Sequence, residues 1–155
     1  MSLRNICDAW LLDIQTHVSD LADATPHRYA IWGQENFGDA GSGRHLAVFP
    51  IPAGELVRPF TVGSLPSDLE THAFRVLIWE AAMAETTRLF DDDDANGAWL
   101  DLFETVKARL RVQSDTSLGT VGGYTRYTGW TAGIMGTARF MQIDFSVQES
   151  AQFTA

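Results

Sequence analysis

Few residues in this chain combine type and spacing in a way that bears on chemistry. They are the run Asp91–Asp94, the four histidines His17, His27, His45 and His72, the single Cys7, and the glycine-rich Gly41-Ser42-Gly43-Arg44. Clustered carboxylate oxygens are what Mg or Ca ions require. Adjacent aspartates point in different directions, however, and the alternating carboxylates with a distant bidentate Glu that build a calcium loop are missing. The run is therefore read as the solvated start of a helix, where negative charge meets the positive end of the macrodipole. No two histidines have the helical spacing of a zinc pair, and one cysteine allows neither a disulfide nor a Cys-based metal set. Gly41 to Arg44 lacks the P-loop lysine and leads into a strand, so no helix N-terminus faces an anion there. Cys7 falls on an apolar helix face, where a thiol is inert. No serine occupies a strand-to-helix elbow of the Gly-x-Ser-x-Gly type. The expectation is a protein with no catalytic residue, no metal site and no cofactor.

Composition limits what else the chain does. Its 155 residues suit one domain with a sizeable core. Hydrophobic residues make up 45%, with nine Phe, five Trp and three Tyr, which is too apolar for a disordered chain. Eleven basic against twenty acidic residues give a formal charge of -9, a balance that repels phosphate backbones. Residues Met1 to Asp13 show no signal-peptide pattern, and no apolar run approaches the roughly 20 residues of a membrane span. A soluble chain made in a cytoplasm, with no membrane partner, is expected.

These residues are positioned by elements that the apolar spacing outlines. Leu3, Ile6, Cys7, Trp10, Leu11, Ile14, Val18 and Leu21 share one helical face, which predicts a helix ending at Asp23 to Pro26. Strands are expected at Arg28–Trp32 and His45–Ile51, joined by a long loop from Gly33 to Arg44. Gly54–Val62 is placed at a sheet edge or in an extended arm because Pro59 lacks an amide proton, and Leu65–Asp68 is read as a turn. Glu70–Glu80 is the best central strand. Phe74, Val76 and Ile78 fall on one of its faces and Ala73, Arg75, Leu77 and Trp79 on the other, so a covering layer is expected on each side. Ala81–Phe90 reads as a short helix or irregular chain. A second helix from about Ala95 to Val112 carries Trp99, Leu102, Phe103, Val106 and Leu110 inward, with Lys107, Arg109 and Arg111 at its C-terminal end, as the dipole favours. Ser114–Thr120 is a polar turn, Val121–Thr128 a strand, Gly129–Gly136 a glycine-rich connection, and Ala138–Gln148 a closing strand with Met141, Ile143, Phe145 and Val147 alternating. The fold class is α+β: a mixed, mostly antiparallel sheet flanked by two long helices, forming a single domain over 1–148 with a polar C-terminal tail at 149–155. Trp10, Ile14, Phe74, Val76, Trp99, Phe103, Val106, Ile143 and Phe145 are expected to share one core.

Aromatic and apolar residues also fall outside that core: Phe37 in the long loop, Trp130, Ile134 and Met135 in the glycine-rich connection, and Phe153 in the tail. Apolar groups on loops and tails become buried when copies assemble or when the segment folds back on its own domain, and these five are the candidate interface residues.

Asp115-Thr116-Ser117-Leu118-Gly119-Thr120-Val121, then Tyr127-Thr128-Gly129-Trp130, then the alternating strand Ala138 to Val147 follow the second helix in order. This arrangement resembles the tail terminator (tail completion or neck) proteins of long-tailed bacteriophages. In that family an amphipathic N-terminal helix leads to strands, a helix ends in a Leu-Gly-Gly-like turn, and a hairpin closes the sheet. Here the turn is Leu118-Gly119, with Thr120 in place of the second Gly. The resemblance implies a structural virion protein of the tail or neck, assembled in the host cytoplasm. It implies a roughly hexameric ring that caps the tail tube, stops its growth and meets the head connector or head-closure protein. Its partners would then be itself, the tail tube protein and the connector, with DNA passing through the lumen without specific binding; an acidic wall suits such passage. The alternatives are another neck or head-closure component and a small α/β enzyme or ligand-binding domain, because a fold does not dictate a function.

If the Asp91–Asp94 run acts through solvation and the helix dipole, adding Mg, Ca or Zn leaves the melting temperature unchanged. Scanning calorimetry with each metal checks this, and a saturable upward shift at micromolar metal contradicts it.

Overall fold

The computed structural model describes residues 3–28, 43–51, 56–62, 65–81, 99–111, 124–135 and 138–152. Their order is α1 (Leu3–His17), a 3-10 turn (Ser19–Leu21), β1 (Thr25–Arg28), β2 (Arg44–Pro50), β3 (Leu56–Val62), β4 (Leu65–Ala81), α2 (Trp99–Leu110), β5 (Tyr124–Met135) and β6 (Ala138–Gln152). The strands form one mixed sheet in the order β1-β2-β4-β6-β5, with β3 also paired to β4. Among the described residues only the β1–β2 pair is parallel. The α+β class expected from the sequence is therefore present.

β4 organises the sheet. One of its edges pairs with β6 from Ser67↔Gln152 to Ala81↔Ala138. The other edge is shared: β3 takes Leu65 to Thr71 and β2 takes Phe74 to Glu80. Alternation then sorts the side chains. Leu46 and Val48 of β2, Phe74, Val76 and Ile78 of β4, and Met141, Ile143, Phe145 and Val147 of β6 join Ile6, Trp10, Ile14, Trp99, Phe103 and Val106 of the helices in one buried cluster. All nine residues expected in the core lie in it. Ala47, Phe49, Leu77, Trp79 and Ala138 form a smaller cluster on the other face.

Several expectations need correction. The two helices expected beside the sheet are present, but they flank one face only, since α1 and α2 share one core cluster. Asp13 of α1 and Arg109 of α2 bridge them with two bonds, Nε–Oδ2 at 2.7 Å and Nη2–Oδ1 at 2.5 Å. Arg109 therefore does more than complement a helix dipole. α1 stops at His17, before Asp23, because Val18 turns to extended dihedrals, and the 3-10 turn carries Leu21 into the core. The first strand is Thr25–Arg28 and begins ahead of the Arg28–Trp32 expected for it; residues 29–32 lie outside the described residues. Leu65–Asp68 is strand and no turn, because pairing with both β3 and β6 outweighs the local signal of Pro66. The glycine-rich connection is strand as far as Met135, and the tail is strand as far as Gln152. Each is held by a ladder that local composition does not reveal. Ala81–Phe90 and Ser114–Thr120 fall, beyond Ala81, outside the described residues, as does the Asp91–Asp94 run.

Three charges are built into the helix-covered face. Arg44, Glu80 and Arg139 are directly opposite one another on β2, β4 and β6, and all three are buried. Arg44 Nε donates to Glu80 Oε2 at 3.0 Å and Arg139 Nε to Glu80 Oε1 at 2.6 Å. Trp99 at the start of α2 lies over both guanidinium groups, 4.5 Å from Arg139 Cζ and 5.8 Å from Arg44 Cζ. Glu80→Ala leaves two buried cations facing each other, and the expected loss is about 3–5 kcal/mol. Urea unfolding of the variant measures it, and a loss below about 1 kcal/mol, the range of exposed pairs, contradicts the buried placement.

Candidate functional site

The sequence offers two kinds of candidate, titratable groups and exposed apolar groups, and the structure separates them. Cys7 is buried on α1, and burial, with Asp8 second, pushes its thiol up to about 12. A thiol so shifted carries almost no thiolate at neutral pH and is no nucleophile. His17 stays local to α1, with Nδ1 3.0 Å from the Asp13 carbonyl and 3.1 Å from its carboxylate. His72 lies in β4. Gly43 has a φ of 82, a left-handed value that suits glycine, and Arg44 beside it is the first residue of β2, committed to Glu80. Among the described residues no group of three His, Cys, Asp or Glu is placed to hold a metal ion, and no helix is long and apolar enough to cross a membrane.

The apolar candidates converge on β5, the last strand of the sheet. Trp130 and Ile134 lie on it, 41% and 50% exposed. Trp130 is opposite Ile143 and so turns to the helix-covered face, where its ring stacks on Phe103 of α2 with centroids 4.5 Å apart. Tyr127 meets the same Phe103 edge-on at 6.4 Å. Lys107 of α2 and Arg111, just after it, stand over the Tyr127 ring at 5.3 and 5.2 Å, and Lys107 also covers Phe103 at 5.5 Å. Such cation–π contacts fix long basic side chains against aromatic surface. The α2–β5 margin is thus a strip of aromatic rings edged by positive charge on a chain of net charge -9. Met135 ends β5, while Phe37 and Phe153 lie outside the described residues.

β5 accommodates its glycines for identifiable reasons. A register shift between Tyr127 and Gly129 marks a bulge, which keeps Tyr127 opposite Phe145 and Trp130 opposite Ile143 on the same face. A Cβ on Gly133 would come within 2.9 Å of the Phe140 ring on β6, so the ring occupies the space a side chain would need. The sequence singles out Trp130 and Ile134 but places them in a glycine-rich connection, whereas they are residues of β5.

Two features were missed. His27 and His45 have no helical ligand spacing in the sequence, yet β1 and β2 bring His27 Nε2 within 3.0 Å of His45 Nδ1. Arg75 and Asp144, opposite one another on β4 and β6, form a two-bond pair at 2.8 and 3.1 Å, and that hydrogen bonding raises the already high Arg75 pKa. Neither is visible until the register between strands is known. Comparison with protein-family models finds no match, and comparison with curated proteins finds none either.

The native protein should resist thiol reagents. At pH 8 an aromatic disulfide reagent is expected to leave Cys7 unmodified until urea unfolds the chain; rapid stoichiometric labelling of the folded protein contradicts its burial.

Proposed function

We propose that this protein is a structural virion subunit of the tail-terminator kind, which forms a ring at the end of a tail tube through unlike edges of its sheet. One observation carries the reading: among the described residues, the two ends of the sheet differ in length, composition and charge. At one end β5 is a long strand flanked by exposed Trp130 and Ile134 and by Lys107, Arg111 and Arg126. At the other, β1 has four residues and follows a turn that carries exposed Asp20 and Asp23. A cyclic ring needs such a pair, because each subunit offers one patch forwards and a different one backwards. An edge strand also presents backbone donors and acceptors that another chain can complete. The order of elements, an amphipathic helix, strands, a second helix and a closing hairpin, agrees with the resemblance noted above.

In this reading the partners are further copies of the chain, the tail tube protein and the head connector or head-closure protein. DNA passes through the ring without specific contact, as the net acidity favours. No chemical step is assigned to the protein. The residues that dock are Trp130 and Ile134, with Met135 at the strand end; an exposed aromatic already stacked on Phe103 adds contact area at small cost in side-chain freedom.

Ile134→Ser tests the reading, since Ile134 is half exposed and its loss should leave the subunit nearly as stable. Assembly should weaken by about 2 kcal/mol per interface, the weight of one anchor. Analytical ultracentrifugation beside thermal melting is the measurement. A smaller assembly with an unchanged melting temperature supports the proposal; an unaltered assembly, or a wild-type chain that stays monomeric with tail tubes present, overturns it.

A further inference from the structure

Strands β1 and β2 place two histidines against one tryptophan on the face opposite the helices. His27 and His45 have ring centroids 5.2 Å apart, and both rings lie on Trp79, at 4.9 and 5.1 Å, with His45 nearly parallel to the indole at 13°. Their nitrogens are 3.0 Å apart while the centroids are 5.2 Å apart, so the nitrogens point at one another along the line joining the rings. That is the geometry of an N–H···N bond, in which one ring donates and the other accepts. It is not the geometry of a chelated transition metal. An ion about 2.0–2.1 Å from each nitrogen needs both lone pairs to converge on a point off that line.

A bond of this kind depends on how many protons the pair holds. With both rings neutral, one N–H serves it. With one proton added, an imidazolium donates to a neutral ring, the bond becomes charge-assisted, and the cation rests on the indole face. A second proton leaves two donors with no acceptor between them and two like charges in contact. Among the described residues the nearby charges fall into two sets bonded among themselves and two exposed aspartates. Arg44, Glu80 and Arg139 project from the opposite face and are bonded to one another there. Arg75 and Asp144 share the face of the pair but are bonded to each other farther along β4 and β6. Asp20 and Asp23, in the chain leading to β1, are exposed. Burial first, and His45 second, hold the His27 pKa below the ordinary 6.5. The sign follows: stability from the uncharged ring is fully present above 6.5 and is lost as pH falls through the lower folded value.

What the bond holds is a short element. Among the described residues β1 is an edge strand of four residues, paired with β2 from Thr25↔His45 to Arg28↔Val48. We propose that the His27–His45 bond is a proton-counting latch: with no proton or one proton added it keeps β1 docked on β2, and a second proton opens it and releases β1 from the sheet edge. The latch works within a single subunit, so it stands or falls separately from ring assembly.

Amide hydrogen exchange between about pH 8 and pH 5, the window in which histidine changes charge, tests this, with rates corrected for intrinsic chemistry and both imidazoles followed by NMR. Protection in β1 should fall about tenfold or more, the equivalent of one pK unit of differential proton binding. Protection at Ile143 and Phe145 should hold, and the two imidazoles should titrate in two separate steps. His45→Gln keeps a hydrogen-bonding partner for His27 without a second charge; burial still opposes protonation of His27, so its β1 protection should fall less than that of the wild type across the range. Constant β1 protection in the wild type, an equal fall in His45→Gln, or coincident titration of both rings overturns the latch. If the variant does not fold, the wild-type exchange and titration decide.

Discussion

The register of β4 against its neighbours is the constraint from which the rest of this structure follows. Three ion pairs sit at directly opposed positions: Arg44↔Glu80 across β2 and β4, Glu80↔Arg139 across β4 and β6, and Arg75↔Asp144 farther along. Because side chains alternate across a strand, a slip of one residue would move every member to the wrong face and bury the charges without partners. The same slip would expose Phe74, Val76 and Ile78. Apolar alternation and charge pairing therefore specify one arrangement together, and the two clusters on either face are its consequence.

Burying Arg44, Glu80 and Arg139 is an unusual use of a core. Removing such ions from water costs several kcal/mol each, which attraction repays only where hydrogen bonds are good. Here one carboxylate receives both guanidinium groups, and Trp99 covers them from α2. The contact fixes where α2 begins over the sheet. Asp13 and Arg109 do the same between α1 and the far end of α2. Two polar contacts thus position the helices on an apolar surface that alone would let them slide.

Much of this was legible from local pattern. The three-and-four spacing of Trp10, Ile14, Trp99, Phe103 and Val106 and the alternation of Met141 to Val147 identify the faces that meet, because burial imposes those periods directly. What was not legible depends on partners distant in sequence. Gly129 and Gly133 look like loop residues until the bulge beside Tyr127 and the Phe140 ring explain them. Pro66 looks like a turn until β3 pairs across it and β6 joins from Ser67 onward. His27 and His45 look unrelated until a parallel pairing joins β1 to β2. Of the candidate interface, Trp130 and Ile134 were found by being apolar outside the core, but their place on an edge strand came only with the topology.

The functional account rests on the two unlike ends of the sheet. A strip of rings and basic side chains lies along β5, and the chain as a whole is acidic, so one copy is a chemically suitable neighbour for the next. The most direct measurement of the central claim is electron microscopy of particles assembled in the absence of this chain. A tail terminator predicts overlong tails unattached to heads. Tails of normal length joined to filled heads would contradict the account.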